Sequence, residues 1–294
     1  MATHNLPITN YQLPMYKLGL IGYPLGHSLS PKIHAAALRA CDLTGDYSLF
    51  PIHPDDAQGL KDLLARVRAD EIHGLNVTIP HKQNVIPLLD ELTDVAKAIG
   101  AVNTIYLRDN KLIGHNTDAQ GFLTDLKRTT NSAFRIPHSA LVLGAGGSAR
   151  AVVYALLNDG WNVTLASRRV EQAQQLAASF PNYQLPITNY ADLRRFDGAQ
   201  RKPSTFDLLV NTTPVGMSPR VNESPLPENF SLPQGVIIYD LVYNPRETKL
   251  VKDARAQGLS ATTGLGMLVE QAALAFEIWI GRTPPRDVLF AAVK

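Results

Sequence analysis

The chain has 294 residues, enough for about two domains of ordinary size. Its formal net charge is only +2 at pH 7, and its lysines and arginines are scattered, so the composition argues against nucleic acid as a partner. The sole cysteine, Cys41, excludes an intramolecular disulfide and is typical of a reducing compartment. Residues 1–14 lack the pattern of a signal peptide and are interpreted as an N-terminal extension, so we expect a cytoplasmic protein.

Strand and helix patterns alternate from residue 17 onward. Short apolar runs in the first half predict strands at 17–22, 46–52 and 74–79, and a hairpin of strands at 101–107 and 111–114. Apolar residues at helical spacing predict helices at 30–41, 55–69, 83–92 and 93–99. Ser30 is the expected N-cap of the first helix, with Pro31 at its first helical position.

The second half continues the alternation after a predicted helix at 118–129 and a polar stretch at 130–138, which is the candidate crossing between two domains. Further strands are predicted at 140–143, 163–166, 208–211 and 236–240. The apolar helix predicted at 264–281 contains Glu270 and Glu277, so we interpret it as buried rather than membrane-spanning, and a short tail helix follows. This order predicts an α/β protein with parallel sheets covered by helices.

A glycine-rich loop lies between the predicted strand at 140–143 and the helix that follows it. The loop has the G-x-G-x-x-G/A pattern in its strand–loop–helix context, so we predict a dinucleotide-binding domain. Gly144 permits the tight turn, Gly146 lets backbone amides approach a pyrophosphate, and Ala149 is small enough for the helix to pack on the strand. The predicted cofactor residues of the loop are Gly144, Ala145, Gly146, Gly147, Ser148 and Ala149.

The end of the next strand indicates which dinucleotide binds. An NAD-binding domain would place an acidic residue there for the ribose 2′-hydroxyl. The sequence has Ser167, Arg168 and Arg169 instead, and a guanidinium suits a 2′-phosphate. Although Glu171 lies close by, we predict that this site prefers NADP.

Several other motifs follow one another along the chain. They are GYPLGHSLSP at 22–31, NVTIPHK at 76–82, GAVNT at 100–104, GHNTDAQG at 114–121, NTTPVGM at 211–217, YDLVYNP at 239–245 and GLGM at 264–267. In these motifs the sequence closely resembles the shikimate dehydrogenase family, from about residue 17 to the C-terminus. The resemblance implies reversible NADPH-dependent reduction of 3-dehydroshikimate to shikimate, a step of chorismate and aromatic amino acid biosynthesis.

The resemblance also implies two α/β domains with a cleft between them. A mostly parallel, substrate-binding catalytic domain is expected over residues 15–118, completed by C-terminal helices at 262–294. A Rossmann domain that binds NADP is expected over residues 119–261.

Lys82 and Asp118 form the expected catalytic pair. Ketone reduction needs a proton source where alkoxide charge develops. A lysine ordinarily carries a proton at neutral pH, so Lys82 can donate one, and a nearby Asp118 would hold the ammonium group and accept a substrate hydroxyl. The resemblance implies Lys82 as the acid/base and Asp118 as its partner. By themselves, Lys82 could be an ordinary loop lysine and Asp118 a helix cap.

The resemblance implies further polar residues around the two ligands. The expected substrate residues are Ser28, Ser30 and Tyr243 for the carboxylate, and Asn76, Thr78, Asn103 and Gln271 for the ring hydroxyls. The expected cofactor residues outside the loop and Ser167–Arg169 are Asp94, Asn211, Thr212, Leu241, Gly264 and Met267. Met267 and Gln271 are four residues apart, so one helix face can contact both ligands. Many family members carry a second arginine where this chain has Gln172, so we expect its 2′-phosphate site to be built differently from theirs.

The histidines show no metal-ligand spacing, so no metal is expected. The expected partner is the small-molecule substrate, with no membrane, and the protein would be a monomer or a homodimer. Two alternatives stay open. One is a quinate/shikimate dehydrogenase that uses NAD or both cofactors; the other is a non-catalytic relative that binds the ligand, which could have lost Lys82 or Asp118, yet both are present.

Overall fold

The computed structural model describes residues 15–130, 138–196, 206–228 and 230–294. Two six-stranded sheets with helices on their faces make up this part of the chain. This confirms the predicted α/β class with two parallel-rich sheets. The expected extension at 1–14 and residues 131–137 of the expected domain crossing lie outside the described residues.

The first sheet has the strand order β2-β1-β3-β5-β6-β4. Its strands are β1 (Tyr16–Gly22), β2 (Gly45–Pro51), β3 (Gly74–Val77), β4 (Glu91–Leu92), β5 (Thr104–Arg108) and β6 (Lys111–His115). Strand β1 pairs in parallel with β2 and β3, whereas β5 runs antiparallel to both β3 and β6. The antiparallel pair is the predicted hairpin, and Asp109 and Asn110 at its turn both have positive φ.

The second sheet has the order β12-β11-β10-β7-β8-β9, and all its neighbouring strands are parallel. Its strands are β7 (Ser139–Leu143), β8 (Asn162–Ser167), β9 (Ile187–Asn189), β10 (Leu208–Asn211), β11 (Ile237–Asp240) and β12 (Ala261–Thr263). The chain first moves outward from β7 to the β9 edge and then returns past β7 to build the other edge. This is the Rossmann order, with its switch point between β7 and β10.

The helices cover both sheets. They are α1 (Ser30–Ala40), α2 (Ala57–Arg68), α3 (Asp94–Ile99), α4 (Asp118–Thr130), α5 (Gly147–Asn158), α6 (Val170–Ala178), α7 (Lys249–Ala256), α8 (Leu265–Ile280) and α9 (Arg286–Ala292). At the starts of α2 and α3, side chains satisfy free backbone amides. Asp56 accepts a hydrogen bond from the Gly59 amide at 2.8 Å, and Thr93 accepts one from Ala96 at 3.3 Å.

The expected helix at 83–92 is wrong. The chain there forms turns, a short 3-10 helix (Ile86–Leu88) and strand β4. Pro87 lacks an N–H, and the amides of Asp90 and Thr93 donate to backbone carbonyls of strand β6. This pairing with a distant strand overrides the local helical spacing.

Ser30 is also not the N-cap of α1. Leu29 occupies that position without a side-chain cap, and Ser30 is the first helical residue. The Ser30 side chain therefore has no capping bond to make and lies instead at the wall of a cavity.

Helices α8 and α9 return to the first sheet. Val269, Phe276 and Leu289 pack in one core cluster with Leu18 of β1 and Ile33 of α1. Glycines then let α4 pack very closely on α8. A Cβ at Gly121 would lie 2.8 Å from the backbone nitrogen of Gln271, so the two helix backbones nearly touch there. This approach brings the start of α4 next to the middle of α8.

Helix α8 is the apolar helix of the sequence analysis, and Val269, Ala272 and Phe276 are fully buried in it. Within the described ranges, no helix has both the length and the apolar character needed to cross a bilayer. In the same ranges, no three His, Cys, Asp or Glu side chains cluster as a metal ion would require.

Candidate functional site

A cavity of about 280 Å³ lies between the two sheets. Its walls come from the segments that follow the carboxyl ends of β1, β3, β7, β10 and β11, together with the starts of α4 and α8. Ligands of open parallel sheets bind beyond the carboxyl ends of the strands, so this cavity is the expected place for them. The predicted residues that line it are Ser28, Ser30, Asn76, Thr78, Lys82, Asn103, Asp118, Ser148, Thr212, Leu241, Tyr243, Gly264, Met267 and Gln271.

Lys82 and Asp118 meet in this cavity although 36 residues separate them. Lys82 lies in the turn after β3, and Asp118 begins α4. The Lys82 Nζ and Asp118 Oδ2 atoms are 2.5 Å apart, and only 10% and 6% of the two side chains are exposed. The Asn116 side-chain oxygen accepts a hydrogen bond from the backbone amide of Asp118 at 3.0 Å. Asn116 thus caps the start of α4, and the Asp118 carboxylate is left for Lys82. A charge-assisted hydrogen bond therefore joins the pair in a largely dry site.

Asn103 fixes the carboxylate of this pair. Its Nδ2 donates to Asp118 Oδ1 at 2.9 Å and lies 3.3 Å from Gln271 Oε1. Its Oδ1 accepts from the Thr117 amide at 2.8 Å. All four residues belong to one buried polar network, which holds Asp118 in a single orientation.

The second domain approaches Lys82 from the other side. Lys82 Nζ donates to Ser148 Oγ at 3.4 Å, and Ser148 is the second residue of α5. A Cβ at Gly147 would lie 3.0 Å from the Lys82 Cβ. An ammonium group has three N–H donors, so the contacts with Asp118 and Ser148 leave one for a ligand.

Ser28 and Tyr243 reach the cavity from opposite domains. Ser28 follows β1 in the first domain, and Tyr243 follows β11 in the second. Burial raises the pKa of the Tyr243 hydroxyl, and its hydrogen bond with Ser28 lowers that pKa in part. The two hydroxyls are therefore close enough to share one polar ligand group across the cleft.

The glycine-rich loop has the geometry that a dinucleotide needs. Gly144 has φ +109°, and a Cβ there would lie 2.5 Å from Thr212 Oγ1. Nothing in the described chain lies within 4 Å of a Cβ built at Gly146, the N-cap of α5, so a phosphate has room at the helix N-terminus. Ala149 is fully buried against the sheet. The backbone geometry at these three positions leaves space for a dinucleotide, and their roles in binding it stay predictions.

Arg168 and Arg169 lie at the carboxyl end of β8, next to β7 in the sheet. Both are exposed, and among the described residues neither forms an ion pair. The Ser167 hydroxyl accepts from the Arg169 amide at 3.2 Å and so shapes the turn that carries them. Their guanidinium groups are thus available to a phosphate beside the glycine-rich loop.

Outside the glycine-rich loop and the turn at Ser167–Arg169, two more predicted cofactor residues lie away from the cavity wall. Asn211 is fully buried, and its side chain donates to Asp240 Oδ1 at 2.8 Å and accepts from Thr213. Asp94 is fully exposed and pairs loosely with Lys97 at 3.7 Å. Asn211 therefore shapes the loops after β10 and β11 from behind, and Asp94 does not reach the described cavity.

Sequence reasoning missed several residues of the site. Thr117 holds Asn103 and is fully buried, and it lies in the quoted motif at 114–121, where no role was given to it. Tyr23, Pro214 and Met217 line the cavity mouth, and all lie in motifs that the sequence analysis quoted without a role for them. Their motif membership could have identified them.

A Rossmann sheet with a glycine-rich loop, facing a buried Lys–Asp pair across one cleft, defines a two-domain dinucleotide-dependent oxidoreductase. Family models for the shikimate dehydrogenase substrate-binding domain and the shikimate 5′-dehydrogenase C-terminal domain match residues 20–105 and 264–294. The NADP(+) shikimate dehydrogenase of Salinibacter ruber is 42% identical over 282 residues, covering 94% of this chain and 95% of its own. The chain belongs to the shikimate dehydrogenase family.

Solved structures agree with this assignment. Shikimate 5-dehydrogenase of Thermus thermophilus, in complex with NADP(H) and shikimate, superposes with a TM-score of 0.81 at 37% identity, over 95% of this chain and 98% of that one. Quinate dehydrogenase of Corynebacterium glutamicum, in complex with NAD, has a TM-score of 0.83 at 31% identity, over 95% and 98%. The fold is thus common to relatives that differ in substrate and cofactor.

Proposed function

We propose that this protein is an NADP-dependent dehydrogenase that interconverts 3-dehydroshikimate and shikimate. The observation that carries the proposal is the buried Lys82–Asp118 pair, 2.5 Å apart in a cavity that also touches the N-terminus of the dinucleotide-binding helix α5. The names of the relatives support the same substrate and cofactor.

In this proposal the bound NADPH would supply the hydride that reduces the ketone carbon of the substrate. Lys82 transfers a proton from Nζ to the developing alkoxide oxygen, so the carbonyl becomes an alcohol. Asp118 holds the ammonium group in place beforehand and accepts a hydrogen bond from a neighbouring substrate hydroxyl. Lys82 recovers its proton from water after the product leaves, and the reverse reaction uses the neutral amine as a base.

The polar wall of the cavity would bind the rest of the substrate. Ser28, Ser30 and Tyr243 offer hydroxyl donors to a carboxylate, at the end of the cavity where the β1 loop meets the β11 loop. Asn76, Thr78, Asn103 and Gln271 offer both donors and acceptors to ring hydroxyls. A small, polyhydroxylated acid fits this distribution of polar groups.

The cofactor would lie along the switch point of the second sheet. Residues 144–149 would hold the pyrophosphate, with Thr212, Leu241, Gly264 and Met267 near the nicotinamide end. Arg168 and Arg169 would bind the 2′-phosphate, with Ser167 shaping their turn. In this arrangement residues 15–118 and 262–294 form the substrate domain and 119–261 the cofactor domain.

An absorbance assay of shikimate oxidation, with NADP and NAD side by side, tests the proposal. We expect turnover with shikimate and a clear preference for NADP. The likeness to a quinate dehydrogenase solved with NAD makes quinate and NAD the appropriate competitors. Faster turnover of quinate, or an equal rate with NAD, would favour the quinate/shikimate alternative, and no turnover of either acid would contradict the proposal.

A further inference from the structure

An aromatic pair, of which one member is fully buried and the other partly buried, lies directly behind the substrate wall. It consists of His34 on α1 and Tyr47 on β2, neither of which lines the cavity. The two residues that do line it at this point, Ser30 and Asn76, are in contact with the pair through the Tyr47 hydroxyl. The catalytic scheme above assigns no role to either aromatic residue.

The Tyr47 hydroxyl holds the oxygen end of the Asn76 amide. It donates to Asn76 Oδ1 at 2.8 Å, while Asn76 Nδ2 donates to the Asn103 carbonyl at 3.1 Å. The Asn103 carbonyl can only accept, so it must receive the amide N–H, and this turns Asn76 Oδ1 toward the Tyr47 hydroxyl. The two bonds together hold the amide at both ends. Burial raises the pKa of Tyr47 well above its usual value, and the hydrogen bond with Ser30 lowers it only in part, so the hydroxyl keeps its proton.

His34 holds the Tyr47 ring in place. The two rings stack with centroids 4.3 Å apart and an interplanar angle of 3°. Burial lowers the pKa of His34 to about 3, and this effect outweighs the opposing effect of Asn76, so the imidazole is neutral. Trp279 packs against the His34 ring, and its Nε1 donates to the Ile105 carbonyl at 3.1 Å. This stacking keeps the phenol next to Asn76.

We propose that Tyr47 is a positioning residue for substrate recognition, which acts by presenting the Asn76 amide to a ring hydroxyl in one fixed orientation. The inference rests on the proposed function, because it assumes that the acid in the cavity carries such hydroxyls. Asn76 would contact the substrate equally in the ground state and in the transition state. Loss of Tyr47 control should therefore weaken substrate binding without slowing the chemical step.

The test is Tyr47→Phe, which keeps the ring stack and removes only the hydroxyl. We expect the shikimate Kd and KM to rise by about three- to ten-fold, the range for one buried hydrogen bond, with kcat and the NADP KM nearly unchanged. The matched control is Tyr106→Phe on β5, a buried tyrosine whose hydroxyl has no hydrogen-bond partner in the described part of the chain. This control should leave the shikimate Kd at the wild-type value.

A double-mutant cycle separates positioning from general support of the fold. Tyr47→Phe should have almost no further effect on the shikimate Kd in an Asn76→Ala background, because the residue that it positions is absent. Asn76→Ser replaces Asn76→Ala in the cycle if thermal unfolding shows that the alanine variant does not fold.

Two results would overturn the inference alone: a Tyr47→Phe variant with the wild-type shikimate Kd, or the same loss of affinity with and without Asn76. Calorimetry measures the Kd independently of turnover. Wild-type protein that binds shikimate without oxidising it would contradict the proposed reaction while leaving the Tyr47 test intact. Wild-type protein that does not bind shikimate would overturn both.

Discussion

The two walls of the cleft are built from different kinds of group. The wall from the first sheet carries a cluster of buried side chains. In this cluster the Asp118 carboxylate accepts hydrogen bonds from both Lys82 and Asn103. The wall from the second sheet combines side chains such as Thr212 and Tyr243 with backbone groups of the glycine-rich loop and the N-terminus of α5. The exposed Arg168 and Arg169 lie beyond it.

The difference follows from what each wall has to do. Groups that transfer a proton must be held in a dry, fixed geometry, because their effect depends on distance and on a low dielectric. A dinucleotide that enters and leaves can be held by backbone amides and solvated cations, which need little rearrangement. Substitutions on the first wall should therefore change turnover, and those on the second wall should change cofactor affinity.

Lys82→Ala should have the largest effect. Removal of the proton donor should reduce kcat by about 10²- to 10⁴-fold, the usual contribution of a general acid, without weakening the binding of NADPH. Steady-state rates and fluorescence titration with NADPH measure the two quantities. Lys97→Ala, an exposed lysine on α3, serves as the control. A variant with near-normal kcat would remove Lys82 from the reaction.

Asp240 should make the stability of the second domain depend on pH. Burial raises its pKa from 3.8 to about 6, despite hydrogen bonds from Thr248, Val242 and Asn211. The folded state thus holds the proton more tightly than the unfolded state. The contribution of Asp240 to the unfolding free energy is therefore greatest below pH 4 and falls as pH rises to about 6. The loss amounts to about 3 kcal/mol.

Asp240→Asn should remove this fall. Urea unfolding between pH 4 and 7 measures the unfolding free energies of wild type and variant. As pH rises to about 6, the wild type should lose stability relative to the variant, and the difference should then stay constant. The control is Asp62→Asn, on the exposed face of α2. Parallel curves for wild type and Asp240→Asn would show that Asp240 does not titrate in this range.

The arginines of the second wall should decide which cofactor binds. Replacement of Arg168 and Arg169 together by alanine should raise the NADP KM about ten- to one hundred-fold, the range expected for lost charge-assisted bonds, and leave the NAD KM unchanged. Arg39→Ala, an exposed arginine of α1, is the control. Equal weakening of NADP and NAD would assign these arginines to something other than the 2′-phosphate.

Substitutions at two adjacent glycines should have the smallest effects, and these effects should differ between the two walls. Gly146→Ala meets no described protein atom within 4 Å, so it should preserve the fold and weaken NADP binding about ten-fold by blocking the pyrophosphate. Gly147→Ala would place a Cβ 3.0 Å from the Lys82 Cβ, so it should lower kcat by about ten-fold through displacement of the lysine. The same changes in kcat and in NADP affinity for both variants would show that the two walls do not have separate roles.

Local sequence patterns predicted much of this molecule. The glycine-rich loop, the turn at Asp109-Asn110 and the apolar helix α8 depend on a few consecutive residues, so they could be identified without a structure. The segment 83–92 could not, because backbone pairing with the distant strand β6 outweighed its own helical spacing. Asn211 belongs to a quoted motif, but only the structure shows its side chain bonded to Asp240 within its own domain.

The sequence by itself determined the α/β class and the glycine-rich strand–loop–helix pattern, and the motifs around Lys82 and Asp118 marked those two residues, since each depends on residue type and order along the chain. Only the tertiary structure decided how residues from distant segments meet. Tyr47 and Asn76 are 29 residues apart, and β1 lies between their strands. The physical reason is that hydrogen bonds and packing act over a few ångströms in space, a distance that sheet order and helix packing set and that the linear order of residues does not record.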